Sequence, residues 1–279
     1  MSVVAIGFFD GVHLGHQRIL EDADIAVTFR NHPLTVLNAA KAPRLIMSYE
    51  DRIAAIRACG VKDVVALDFT SVLASQSPED FFSFLRLRLP TPASSLRCGA
   101  NWRFGRNGEG NPDWLRGHGI DVQVVDDAVY EGAVVSSTRI RECLSRGEIA
   151  AANAMMGRRF RVTGSVVSGK GEGRKLGYPT VNLSLRGTSQ STIDSALPLG
   201  VYQVAVAGRR AIANYGLAPT FGGRAWKAPV LEVHLLAGNV VFPDSEVDVE
   251  FVRYIRPEKR FPSLAGLQAQ IAADIASLM

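Results

Sequence analysis

The sequence predicts two folds in one chain: an α/β domain with a parallel sheet, then an all-β domain, an antiparallel barrel or sandwich with a terminal helix. Three observations predict it. The chain has 279 residues, and at roughly 150 residues per domain that length argues for two cores. Up to Gly157, short β-branched runs alternate with helical stretches. Beyond it, Val- and Tyr-rich strands recur with Gly and Pro loops between them. The boundary is therefore expected at 157, giving domains 1–157 and 158–279.

In the first half, residues 3–8 form the first strand, and 25–29, 64–69, 95–99 and 122–125 repeat its pattern. Ser48 caps a helix with Glu50 and Asp51 in its first turn, Ile53 and Ile56 on one face, and Gly60 as its stop. Ser77 with Pro78, Glu79 and Asp80 opens another helix. In the second half, strands are expected at 161–167, 201–206, 210–214, 231–236 and 247–255. Ser263 caps a last helix whose Leu264, Leu267, Ile271, Ile275 and Leu278 step by three and four, so it packs on the barrel.

Composition narrows the function. With 47% hydrophobic and 21% charged residues, the chain is an ordinary folded protein, not collagen-like, disordered or coiled-coil. Thirty-one Lys and Arg against twenty-seven Asp and Glu leave +4, scattered without a basic helix, so no nucleic-acid partner is expected. Cys59, Cys98 and Cys143 are odd in number and widely spaced, which implies neither disulfides nor a zinc site. The N-terminus lacks a basic n-region and no apolar run approaches the roughly 20 residues of a membrane span. A cytoplasmic protein with no membrane partner is expected; no feature specifies an oligomeric state.

Two constellations point to nucleotide chemistry in the first domain. Gly7-Phe8-Phe9-Asp10-Gly11-Val12-His13-Leu14-Gly15-His16 follows the first strand and enters a helix, where open α/β sheets bind ligands and backbone N–H groups attract anions. Two histidines three apart can donate hydrogen bonds to phosphate oxygens, and the glycine between them lets a triphosphate approach. Far downstream, Ser136, Ser137 and Thr138 precede Arg139 and Arg141 at a helix start, a second anion cradle. Either motif alone also fits a capped turn with solvated charges. Together, GxFDGxHxGH and SSTRIR resemble the adenylyltransferase domain of bacterial FAD synthetases, the bifunctional riboflavin kinase/FMN adenylyltransferases.

That resemblance implies a Rossmann-like HxGH nucleotidyltransferase domain that holds ATP for direct attack by the FMN phosphate, without a covalent intermediate. It implies that His13 and His16 contact the ATP phosphates, and that Gly7, Phe9, Asp10, Gly11 and Gly15 shape the ATP loop. Ser136, Ser137, Thr138 and Arg141 would clasp the triphosphate. Asn101, Trp102 and Phe104, with His32, resemble the flavin-side segments. The chain departs from the family in having Trp102 for the usual Phe and Asn31 for the usual Pro. It also has only eleven residues between His16 and Thr28, which requires a short first helix.

The second domain opens with a glycine-dense loop, Gly169-Lys170-Gly171-Glu172-Gly173-Arg174-Lys175-Leu176-Gly177-Tyr178-Pro179-Thr180-Val181-Asn182. It is not a Walker A loop, yet its glycines admit phosphate and its cations offer charge. Thr180 and Asn182 give two oxygens on one face of an extended segment, which suits Mg²⁺. A solvated loop is the plainer reading of such a stretch. From Gly169 to Asn182, however, the run resembles the riboflavin kinase signature, with Tyr178 for Phe and Val181 for Ala. The resemblance implies ATP contacts at Gly169, Lys170, Gly173, Arg174, Gly177 and Pro179, metal ligands Thr180 and Asn182, Glu232 as catalytic base, and Arg256 and Phe261 on the flavin side. His234 reads as a structural histidine.

The expectation is a bifunctional enzyme with riboflavin, FMN and ATP as small-molecule substrates, Mg²⁺ as cofactor, and FMN and FAD as products. Two alternatives stay open: a riboflavin kinase with a weak or inactive adenylyltransferase domain, and a flavin- or nucleotide-binding protein without turnover.

Overall fold

In the computed structural model of the protein, the described residues are 2–167, 177–185, 197–216, 229–236 and 246–278. They form two compact units, Met1–Ser137 and Thr138–Met279. In the first unit the strands are β1 (Ser2–Ile6), β2 (Ile25–Phe29), β3 (Asp63–Leu67), β4 (Ala93–Gly99) and β5 (Val122–Val125). They lie in the order β3-β2-β1-β4-β5, all parallel. Two further short strands, β6 (Val129–Tyr130) and β7 (Ala133–Val134), pair as a hairpin. The helices are α1 (Leu14–Leu20), α2 (Leu34–Leu37), α3 (Tyr49–Ala58), α4 (Ser71–Ala74), α5 (Pro78–Arg86) and α6 (Pro112–Gly117).

Both sheet faces are covered, as a parallel sheet requires. Successive residues of β1 alternate between them. Val4 and Ile6 join Val27, Leu96 and Leu85 in one core cluster, and Ala5 joins Ala26, Leu20 and Ile56 in the other. The expected caps form: Ser48 Oγ accepts the Asp51 N–H at 3.0 Å and Ser77 Oγ the Asp80 N–H at 3.1 Å. Helix α3 differs from expectation in its buried face, which carries Arg52 and Ile56 and leaves Ile53 half-buried. Chain order reverses between β2-β1 and β4-β5, so the crevice at the carboxyl ends of β1 and β4 is the topological switch point where such sheets bind ligands.

The second unit holds α7 (Ser137–Ser145, which starts on the last residue of the first unit) and α8 (Ile149–Met156). It then builds β8 (Phe160–Val167), β9 (Val181–Leu185), β10 (Gly200–Val206), β11 (Arg209–Gly216), β12 (Val230–Leu235) and β13 (Glu246–Pro257). These strands close a barrel in the order β10-β11-β12-β9-β8-β13, with every pair antiparallel. Strand β9 completes the closure, where the sequence reading saw only an extended ligand segment. The expected boundary at 157 falls between α8 and β8. By packing, α8 goes with the barrel: Asn153 Nδ2 donates to the Phe251 carbonyl at 2.9 Å and its Oδ1 accepts the Phe160 N–H at 2.7 Å.

Tyr202, Tyr215, Leu231, Val233, Val249 and Phe251 fill the barrel. The Tyr202 hydroxyl donates to the Pro198 carbonyl, and burial pushes its pKa up. The last helix, α9 (Leu264–Ala276), starts at Ser263, whose Oγ accepts the Gly266 N–H at 3.2 Å. It packs through Ile275 and Leu278 against Val201 and Ile212. Its expected apolar stripe is shorter than the spacing implied, since Leu264 is 69% exposed. No helix among the described residues is long and apolar enough to cross a membrane.

Candidate active sites

The loop after β1 is held in an unusual backbone. Phe9, Gly11 and Val12 have φ of 59°, 81° and 38°, and each non-glycine residue in that region costs about 1–3 kcal/mol unless its surroundings over-determine it. Here they do. Both oxygens of the buried Asp10 carboxylate accept the Ile46 N–H, at 2.9 and 3.1 Å. The Asp10 carbonyl accepts the Ser137 hydroxyl at 2.8 Å and the Phe8 carbonyl the Thr28 hydroxyl at 2.9 Å. A Cβ at Gly11 would lie 2.8 Å from Ile46 Cδ1. Asp10 and Gly11 therefore shape the loop, with the carboxylate turned to the backbone.

His13 caps α1: its Nδ1 accepts the His16 N–H at 3.3 Å. That bond assigns the neutral ring its tautomer, with the proton on Nε2, a donor suited to a phosphate oxygen. The His13 and His16 rings stack at 3.6 Å and 19°, and Phe9 meets His16 edge-on at 5.4 Å. Gly15 favours this stack, since a Cβ there would lie 3.2 Å from His13 Cε1 and press on the ring. The glycine between the histidines serves their packing as well as any ligand's approach. Helix α1 is seven residues long, as the short spacing required.

On the flavin-side segments, His32 Nδ1 accepts the Leu34 N–H at 3.1 Å and its ring meets Phe8 edge-on at 4.7 Å. Asn31 is structural: its amide donates to the Phe69 carbonyl and accepts the Phe69 N–H, both at 2.9 Å, tying the end of β2 to the end of β3. After β4, Asn101 is exposed and Trp102 half-buried, stacked on Phe104 at 4.6 Å. Phe104 itself lies in the core with Phe81 and Trp114. Ser136 and Ser137 are half-buried. In α7, Thr138 is exposed and accepts from Arg141 Nη1 at 3.5 Å.

Sequence reasoning missed Arg52. Fully buried on α3, its guanidinium stands 4.0 Å from the Phe8 ring centroid and donates to the Phe29 and Arg30 carbonyls at 2.6 and 3.2 Å. Burial lowers its pKa to about 10, so the group is still a cation at neutral pH, fixed beneath the loop. The one available signal was its spacing, four residues before the core residue Ile56.

In the barrel, Glu232 of β12 stands directly opposite Asn182 of β9 and Asn214 of β11, so the three share a face. Glu232, Asn214, Thr180 and His234 line a cavity of about 340 Å³, within the range of small-molecule sites. Val201, Ile212, Phe261, Leu267 and Ile271 supply its apolar lining. Leu231, Val233 and Tyr215, which alternate with these residues, fill the barrel interior. The cavity thus lies on the outer barrel wall under α9. His234 Nδ1 is 2.9 Å from the Pro179 carbonyl and its ring meets Tyr178 edge-on at 5.5 Å, a structural hold on the signature segment. Gly177 is exposed. Gly169, Lys170, Gly173 and Arg174 lie outside the described residues.

Arg256 also lines the cavity, in a short ion pair with Asp274 at 2.6 Å, and its guanidinium is 6.0 Å from the Phe261 ring centroid. Asn214, Glu258 and Asp274 were not foreseen; Asn214 Nδ2 donates to Glu258 Oε1 at 3.3 Å. Asn214 becomes visible only through strand register, which motif reading does not supply.

The α/β crevice and the cavity on the barrel wall give the chain one candidate small-molecule site in each unit. A family model of FAD synthetase matches residues 1–139 and one of riboflavin kinase matches 156–279. The bifunctional riboflavin kinase/FMN adenylyltransferase of Bacillus subtilis (strain 168) is 32% identical over 292 residues, 98% of this chain and 90% of its own. That of Escherichia coli (strain K12) is 31% identical over 291 residues, 98% and 90%. A crystal structure titled as a macrolide-efflux protein from Streptococcus pneumoniae superposes with a TM-score of 0.83 at 28% identity, covering 99% of this chain and 92% of that one. The chain belongs to the bifunctional riboflavin kinase/FMN adenylyltransferase family. ATP as substrate and FMN and FAD as products fit that family.

Proposed function

We propose that the barrel phosphorylates riboflavin to FMN and the α/β unit adenylylates FMN to FAD, each from ATP, with the functional boundary near 157. The observation that carries this is Glu232, set between Asn182 and Asn214 in a cavity with an apolar lining. The isoalloxazine ring occupies the apolar lining, Arg256 and Phe261 included, and the ribityl chain reaches Glu232. Glu232 takes the proton of the 5′-hydroxyl as its oxygen attacks the γ-phosphorus of ATP and ADP leaves.

Gly169, Lys170, Gly173, Arg174, Gly177 and Pro179 form the ATP loop. Thr180 and Asn182 offer hard oxygens beside the Glu232 carboxylate, a set that fits Mg²⁺. Mg²⁺ bound there would neutralise phosphate charge.

In the α/β unit, an oxygen of the FMN phosphate attacks the α-phosphorus of ATP and pyrophosphate leaves. His13 through Nε2–H, and His16, donate to the phosphates within the loop shaped by Gly7, Phe9, Asp10, Gly11 and Gly15. Ser136, Ser137, Thr138 and Arg141 form the second phosphate cradle. Asn101, Trp102, Phe104 and His32 belong to the flavin side, with Trp102 as the stacking face and Phe104 behind it. The protein works in the cytoplasm on small molecules, without nucleic acid or membrane.

The test is a time course of riboflavin, FMN and FAD, separated by chromatography, with purified protein, riboflavin, ATP and Mg²⁺. FMN should appear first and then convert to FAD. FMN accumulating without FAD, even when FMN is supplied, would leave only the kinase; untouched riboflavin would remove the kinase reading.

A further inference from the structure

Along the described part of α9 the buried residue is a carboxylate, Asp274, whose side chain is 5% exposed. Nothing in the transfer chemistry above uses it. Arg256 Nε stands 3.0 Å from each of its oxygens and Nη2 2.6 Å from Oδ2. Gln270 Nε2 donates to Oδ1 at 2.8 Å. Arg256 Nη1 donates to the Pro257 carbonyl at 3.0 Å, so the fork is fixed at both ends. Asp274 and Arg256 both line the cavity that holds Glu232.

A buried ion pair is weak evidence for stability, because desolvation offsets the Coulombic gain and apolar residues of like volume often do as well. What such a pair supplies is geometry: a planar fork on a carboxylate fixes both side chains. Here it joins the end of β13 to the helix that carries Leu267 and Ile271 over the cavity. The paired charges also leave that wall without net charge, which suits an uncharged ring; removing the carboxylate would leave a guanidinium buried against the ring.

We propose that Asp274 is a positioning residue for riboflavin phosphorylation: through its forked pairing it holds Arg256, and with it the wall of α9, at the spacing that grips the flavin ring. The inference rests on the kinase reading above. It places the effect in flavin binding and leaves phosphoryl transfer itself alone.

The test uses the full chain with the Asp274→Asn substitution. The KM for riboflavin should rise about tenfold, with kcat within about twofold and the KM for ATP unchanged. Riboflavin fluorescence titration should weaken by the same factor, and Arg256→Lys, which keeps the charge and loses the fork, should move KM in the same direction. A kcat loss at unchanged KM, or a riboflavin KM within about twofold of the parent, would overturn the proposal. FMN adenylylation by the same preparations controls for folding. If Asp274→Asn proves insoluble, Gln270→Ala removes one donor and should raise KM about two- to threefold; no change there would also overturn the proposal. A parent protein that leaves riboflavin untouched would instead remove the kinase reading.

Discussion

The two sites are built by different means. In the α/β unit the two histidines and the glycines around them sit on one loop, Gly7 to His16, that leaves a strand and enters a helix of seven residues. Its geometry depends on left-handed backbone at Phe9, Gly11 and Val12, held by Asp10, Ser137 and Thr28. In the barrel, Glu232, Asn182 and Asn214 come from three strands, and ladder register alone brings them level. A loop site stores strain and is sensitive to any atom that disturbs its turn; a register site is rigid and sensitive chiefly to the chemistry of its side chains.

Substitutions should separate the two sites, and the largest effect is expected in the barrel. Glu232→Gln keeps the shape and removes the base, so riboflavin phosphorylation should fall at least about 100-fold while adenylylation of supplied FMN stays within about twofold. Steady-state rates of the two half-reactions check this, and more than about a tenth of the phosphorylation rate surviving would deny Glu232 the role of base.

Next in size, His16→Ala removes a phosphate donor and the ring stacked on His13. FAD formation should drop by roughly 100-fold with FMN formation spared; equal losses in both would argue against separate sites. A smaller effect tests the strained loop. Gly11→Ala forces a side chain onto φ of 81° and toward Ile46, costing about 1–3 kcal/mol. Calorimetry should show a lower melting temperature and adenylylation should weaken, whereas an unchanged melt would mean that the loop relaxes freely.

The smallest effect concerns a thiol. Burial pushes Cys98 up to about 11, so at pH 8 roughly one molecule in a thousand carries the thiolate. A raised thiol pKa favours the native state below the unfolded value, and that contribution is lost as pH climbs toward the folded one. Iodoacetamide at pH 8 should therefore leave Cys98 unmodified until denaturant is added; mass spectrometry of the native protein reads this directly.

The two regions also differed in how much of them was legible. Strand alternation and the Ser48, Ser77 and Ser263 caps are local signals, and the structure has the sheet, these helices and the barrel strands other than β9 where the sequence put them. The contiguous loop motif could be read as chemistry because backbone and side chains act within ten residues. Arg52 and Asp274 could not be read that way. A charged residue on a helix is normally solvated, and what makes these two buried is a partner elsewhere: the Phe8 ring and the Phe29 and Arg30 carbonyls for one, Arg256 for the other. Asn214 stayed hidden because its significance is a register with Glu232. Gly15 was read as making room for phosphate, and the structure adds the His13 ring as its neighbour.

The most direct test of two independent sites acting in sequence is to mix two variants, each defective in one step. Glu232→Gln and His16→Ala chains incubated together with riboflavin, ATP and Mg²⁺ should make FAD, the second supplying FMN that the first adenylylates. Absence of FAD from the mixture, with each variant retaining its single activity, would contradict the account.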